Sequence, residues 1–360
     1  MSKRFRLTKA SKILIVFLIV ALIGGGVFAG LKTGFIKTKT AASSDAKENV
    51  VAANKGTSSD SGTPSSKKTT KKTDGDATIN LSLDEWTGWK SIIDGNQGLT
   101  TQPGSIYDKL GIKVNINIIN DATQSSNALI KGDLNAAGYT INRTAFLSQK
   151  FTDAGKEVVM PFITNYSNGG DGIIAKSSIQ SVNDLVGAKI GVPEFSEAQT
   201  LVVWFVNNSD LSDEQKSEII DNLVLFSTAD DTAKAFFAGQ VDVAATWEPY
   251  LTQAQNMTDA HVLFSTASST NLVMDGILFD KEFAEAHPDV VEKFIQGALE
   301  ASSMYDTEFD AVREVMPMFN TASDEDIIAS TKTAKLTTWK DNSDLLNGTA
   351  KTIYSDMCNV

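Results

Sequence analysis

The stretch 189–205, KIGVPEFSEAQTLVVWF, does most to constrain how this 360-residue chain can fold. It reads as a short apolar strand, a sharp turn and a helix. Gly191 and Pro193 end the strand, Ser196 is a natural N-cap, and the apolar run 201–205 follows it. A helix start of this kind offers unpaired backbone N–H groups and the positive end of a dipole. At the carboxyl end of a parallel sheet it forms a ligand-binding edge. Strand–turn–helix units without ligands are also common, so the remaining elements must decide.

Those elements alternate. Strands are expected at 78–83, 112–119, 135–140 and 157–163, with a helix at 124–132 closed by Gly132. Strand and helix in turn predict an α/β fold with a largely parallel sheet. The glycine-rich link 167–172 reads as the first crossover into a second domain, where glycines can absorb a hinge rotation. Beyond it come a strand at 173–176, a small helix at 181–187, a helix at 209–222 with an acidic outer face, a strand at 223–226, a helix at 230–238 and a strand at 241–246. The chain returns through 271–279 into helices at 288–304, 309–319, 325–333 and 345–357, expected to pack on the first domain. Trp339 is expected as a packing anchor in a loop. The domains so drawn are 78–166 with 273–360, and 167–272, in a monomeric body.

Charge separates the N-terminal region from this body. Residues 1–77 hold 14 Lys and Arg against 5 Asp and Glu, leaving 18 against 39 for the remainder. So acidic a body should repel nucleic acid. In region 1–37 a basic head precedes the uncharged run 13–31, whose 19 residues would extend roughly 28 Å as a helix, near the thickness of a bilayer core. The charge bias places the N-terminus in the cytoplasm and the body outside. Cleavage after Val27-Phe28-Ala29 would make the run a removed signal peptide and the protein secreted or periplasmic. Its length favours a retained anchor. Residues 38–77, rich in Ala, Ser, Thr and Lys, read as a disordered tether. With only Cys358, His261 and His287 available, neither a disulfide framework nor a Cys- or His-rich metal site is expected, and no cofactor is called for.

Three segments carry a family resemblance: 126–138 (SNALIKGDLNAAG), 184–192 (DLVGAKIGV) and 235–244 (AFFAGQVDVA). In that order and spacing, the chain from about 79 to 303 resembles substrate-binding proteins of ABC importers, of the nitrate/sulfonate/taurine/bicarbonate type. Asn127 and Asn135 stand where that family usually has Glu and Asp. The resemblance implies a two-lobed, hinged periplasmic-binding-protein type II fold without catalysis, a small-molecule solute, and a permease with its ATPase as partners. Two other classes compete. The fungal thiamine-pyrimidine synthases share this fold, but they use a histidine donor and a Cys-rich segment. A sensory ectodomain would need a separate signalling partner, since few residues precede the expected anchor.

In a two-lobed receptor the ligand lies between the lobes, against strand ends and helix starts. That selects Trp86 and Trp89 after the first strand, Ser125 and Ser126 at a helix start, and Thr140 and Asn142 after the third strand. From the second domain it selects Glu194, Ser196, Glu197 and Gln199 around the turn, with Trp247 and Glu248 after the last strand. Asp171 and Asp275 flank the two crossovers. The cleft so drawn offers the carboxylates Asp84, Glu85, Glu194, Glu197, Glu248 and Asp275 but few cations, Arg143 being the nearby arginine, so the tryptophans could stack on a ring or cage a cation.

Overall fold

The computed structural model describes residues 77–269 and 272–349. The expected anchor, the tether up to residue 76, the cleavage site at 27–29, Cys358, Asn271 and the last residues of the C-terminal helix lie outside them.

Eleven strands form two separate sheets among the described residues. The first contains β1 (Thr78–Leu83), β2 (Lys113–Ile118), β3 (Ala136–Thr140), β4 (Val158–Ser167), β10 (Met274–Asp280) and β11 (Ala334–Leu336), in the order β11-β4-β10-β3-β1-β2. The second contains β5 (Asp171–Lys176), β6 (Ile190–Pro193), β7 (Val224–Phe226), β8 (Val243–Trp247) and β9 (Ala260–Ser265), in the order β7-β6-β8-β5-β9. Each sheet forms one lobe. The chain leaves the first lobe at the end of β4 and returns at the start of β10.

That path explains why the sheets are mixed rather than largely parallel. β1 runs parallel to β2 and β3. β10 starts at the crossover, where β3 and β4 end, so it runs antiparallel to both. In the second lobe β6 is parallel to β7 and β8, and β5 is antiparallel to β8 and β9.

Each sheet has an interior strand buried on both faces. In β1, Ile79, Leu81 and Leu83 are in the core and Ser82 on the opposite face is buried as well. In β5 every residue from Asp171 to Ala175 is buried. Helices cover the first sheet. The helix Pro288–Ala301 packs on Lys90–Asn96, and Phe294 stacks on Tyr107 at 5.4 Å between ring centres. Helix starts carry their own caps: Asp121 for Ala122–Lys131, Thr140 for Ile141–Asp153 and Ser196 for Glu197–Asn207.

The two crossovers are tied together. Ser167 Oγ and the Thr266 hydroxyl lie 2.8 Å apart, and the Gly169 and Asp171 N–H groups donate to Thr266 and Ser167. Gly169 has φ +105°, a backbone region that favours glycine.

Two expectations for local structure are corrected. Ser125 and Ser126 do not start a helix; Asp121 caps it earlier, and both serines lie inside it. Trp339 is not a buried anchor in a loop. It is the first residue of the helix Trp339–Asp344 and is 48% exposed.

Gly138 in β3 lets Trp89 lie against the strand. A Cβ there would sit 2.7 Å from Leu83 Cδ2 and 3.0 Å from the Trp89 ring. Gly138→Ala should therefore lower unfolding free energy by about 1–3 kcal/mol, read as a lower urea midpoint at unchanged slope.

Candidate functional site

The lobes meet around a buried cavity of about 10 Å³, room for about one water molecule. Its lining is Asp84, Trp86, Trp89, Thr140, Asp171, Glu197, Trp247, Val273 and Asp275. Both lobes and both crossovers contribute.

From the first lobe, the end of β1 runs into a tight turn that presents Asp84, Trp86 and Trp89. Trp89 Nε1 donates to Asp84 Oδ1 at 2.7 Å, and Trp86 Nε1 donates to Asn165 Oδ1 at 3.1 Å. Both indoles are thus oriented through their N–H groups. Gly88 and Gly170 make room for this: a Cβ on either would run into Trp86. From the second lobe, Glu197 opens the helix Glu197–Asn207, and Trp247 ends β8. The turn before that helix holds Phe195 at φ +56°, with its N–H bonded to Gln199 Oε1.

Arg143 organises the charges. Its guanidinium donates to Asp84 Oδ2 at 2.7 Å and approaches both Glu197 oxygens at 3.5 Å. Thr140 Oγ1 accepts from the Arg143 N–H and donates to Glu197 Oε2 at 3.1 Å. Glu197 therefore spans the gap between lobes. Asp84, Arg143, Asp171, Glu197 and Asp275 are each at most 6% exposed.

Burial pushes Asp171 and Asp275 well above the ordinary carboxylate range; the Glu197 charge adds to this at Asp171, as the Asp171 charge does at Asp275. Burial also raises Glu197, against the pull of Arg143. For Arg143, burial favours the neutral form, but Glu197 and Asp84 outweigh it and the guanidinium is held more firmly protonated than usual. Asp275 Oδ2 is buried with no hydrogen-bond partner.

Of the residues selected from sequence, Trp86, Trp89, Thr140, Asp171, Glu197, Trp247 and Asp275 come together here. The others do not line the cavity. Ser125 bonds Ser82 and Tyr139, and Ser126 accepts from Lys150. Asn142 donates towards the Leu272 carbonyl at 3.4 Å. Ser196 serves as the cap, bonded to Pro193 O and the Gln199 N–H. Glu194 is exposed, and Glu248 accepts from Thr252 at a helix start. Strand-end and helix-start positions select neighbourhoods, and capping chemistry uses many of the same polar residues. Val273 was not selected; Asp84 was expected among the cleft carboxylates but not chosen as a ligand contact. The indole–carboxylate pairing of Trp89 with Asp84 is the signal that ties Asp84 to the site.

Among the described residues no helix is long and apolar enough to cross a membrane, and no group of three or more His, Cys, Asp or Glu is placed to hold a metal ion.

Known proteins resemble this chain at both levels. The profile of the family described as NMT1/THI5 like matches residues 105–305, more than half of the chain. A putative aliphatic sulfonates-binding protein of Bacillus subtilis (strain 168) is 31% identical over 121 residues, 33% of this chain. The chain spans about a third, 34%, of that relative's length. Among solved structures, the alkanesulfonate-binding protein SsuA from Xanthomonas axonopodis pv. citri bound to MOPS aligns with a TM-score of 0.59 at 15% identity, over 78% of this chain and 94% of that one. The periplasmic nitrate-binding protein NrtA from Synechocystis PCC 6803 aligns with a TM-score of 0.56 at 10% identity, over 78% and 85%. These alignments show the two-lobed fold of periplasmic binding proteins.

Proposed function

The chain belongs to the NMT1/THI5-like family, and from that premise we propose that it is an extracytoplasmic solute receptor that hands a small molecule to an ABC permease and its ATPase. One observation carries this reading: a buried cavity between two lobes, built from tryptophans and polar side chains of both and flanked by both crossovers. A ligand there touches both lobes only when they are closed, so its binding energy shifts the population toward closure. The lining contains no cysteine or histidine, which favours binding over nucleophilic chemistry. The uncharged run 13–31 would hold a monomeric body on the outer face of the membrane, and 38–77 would give it reach.

The test is a solute screen on the purified body, read by tryptophan fluorescence and thermal shift. A ligand at a hundredfold excess over its Kd should stabilise the protein by about 2.7 kcal/mol. Trp247→Ala should then weaken binding about ten- to a hundredfold, as loss of a stacking face does. If no small molecule of any charge shifts either signal, the receptor reading fails.

A further inference from the structure

We propose that the solute is a compact organic cation bearing N–H donors, of the guanidinium or amidinium class, rather than an anion. This deepens the receptor reading and rests on it. The lining offers four carboxylates, three indoles, one hydroxyl and one valine, and no lysine or arginine. Arg143, behind the lining, already gives its terminal nitrogens to Asp84 and Glu197; its Nε–H has no partner, but Arg143 does not line the cavity. An anionic head group would find its natural partner occupied and four carboxyl groups around it.

A cation is met differently. Asp275 Oδ2 has no hydrogen-bond partner, is buried in a residue only 3% exposed that lines the cavity, and becomes an acceptor once a cation holds the carboxyl ionised. Leaving such an acceptor unpaired is costly, and a charge-assisted N–H donor removes that cost. Trp86, Trp89 and Trp247 line the same cavity, and indole rings attract a planar cation. A guanidinium also loses less hydration on burial than an ammonium ion. A quaternary ammonium has no N–H to give Asp275. A bare metal ion is disfavoured because, among the described residues, no three carboxylates converge to hold one. The small cavity demands a ligand of few heavy atoms, taken up as the lobes part slightly.

Asp171 opens β5 and Asp275 lies near the start of β10, so each crossover carries one of these carboxyl groups. Asp84, Glu197 and Arg143 are the charged groups facing them. Without a ligand, burial favours the protonated forms of Asp171 and Asp275. A cation favours the carboxylates, so its binding should expel protons.

The test is calorimetry at pH 7 with low-millimolar guanidinium and acetamidinium, set against tetramethylammonium, ethanesulfonate and nitrate. Each titration is run in two buffers of different ionisation enthalpy. The expected result is binding of the planar N–H cations with net proton release, and at least tenfold weaker binding of the other three. Asp275→Asn should weaken guanidinium binding about ten- to a hundredfold, with the melting of the empty variant confirming that it folds. Binding of ethanesulfonate or nitrate with proton uptake would overturn the cation while leaving the receptor reading intact. Selective tetramethylammonium binding would overturn the N–H donor class. Failure of every probe to bind or to shift the melting temperature would overturn the cation proposal, while the receptor reading stands or falls on the wider solute screen.

Discussion

Arg143→Met is expected to cost about 3–5 kcal/mol of unfolding free energy at pH 7, because breaking a buried ion pair leaves its partners uncompensated. Arg143 is buried beside Asp84 at 2.7 Å and Glu197 at 3.5 Å, with Tyr139 beneath the guanidinium at 5.6 Å. Asp84 would keep the Trp89 N–H and Glu197 the Thr140 hydroxyl, but neither donor carries a charge. Arg143→Lys should recover only part of the loss, since an ammonium cannot fork to two carboxylates. Urea titration measures both variants. In the wild type, the raised folded-state pKa of Asp171, Glu197 and Asp275 sets the sign of the pH dependence. Their contribution is fully present below the ordinary carboxylate value near 4 and is lost as pH rises through the folded-state values. Removing the positive charge raises those values further. The deficit of Arg143→Met should therefore shrink at pH 5, where protonation can neutralise the pocket. A deficit below about 1 kcal/mol at pH 7 would mean that the lobes open and hydrate the carboxylates, which small-angle scattering would show as an expanded body.

Arg143 was expected near the cleft as its arginine, but its pairing with Asp84 and Glu197 was not legible. It lies in the first turn of the helix Ile141–Asp153, and that helix was not expected at all. Its cap is Thr140 without an acidic partner three residues on, and polar residues interrupt its apolar positions Ile141, Leu147 and Phe151. The segment 197–207, by contrast, has a serine cap and a long apolar run, and its start was legible. Strands β1 to β4 were legible because their apolar residues alternate or cluster between turn signals. β9 was missed: its sequence AHVLFS follows a polar stretch and shows no clean alternation. The tryptophans could be found because large aromatics after strand ends have few places to go. The pairing of Asp84, Arg143 and Glu197 joins residues from two lobes, and no local period records such a contact.

The helix Lys90–Asn96 was illegible for a related reason, and it carries the other large expected effect. All seven of its residues are buried, yet Lys90, Ser91, Asp94 and Asn96 are polar, so hydropathy does not report its burial. Lys90 Nζ lies 2.7 Å from Asp94 Oδ2, donates to the Met304 carbonyl at 3.2 Å, and sits 5.7 and 5.2 Å from the rings of Tyr305 and Phe309. Asp94 Oδ1 has no partner. Burial lowers the Lys90 pKa against the pull of Asp94, and it raises that of Asp94 to about 7 despite Lys90. Lys90→Met should therefore cost about 3–5 kcal/mol at pH 8, where the paired Asp94 is ionised. Without its ammonium, Asp94 must hold its proton to a higher pH or bury a bare charge. Between pH 7 and that higher pKa the folded variant binds a proton that the unfolded chain and the wild type have released. Its deficit should then grow by about 1.4 kcal/mol per pH unit. The double replacement Lys90→Met with Asp94→Leu removes both charges and substitutes apolar contacts of similar volume. It should recover most of the loss and flatten the pH dependence, since a buried pair often repays little more than its own desolvation. Urea midpoints at pH 6, 7 and 8 for the single and double variants decide this. A double variant no more stable than Lys90→Met would show that the ammonium's bond to the Met304 carbonyl, and its place over the two rings, matter more than its pairing with Asp94.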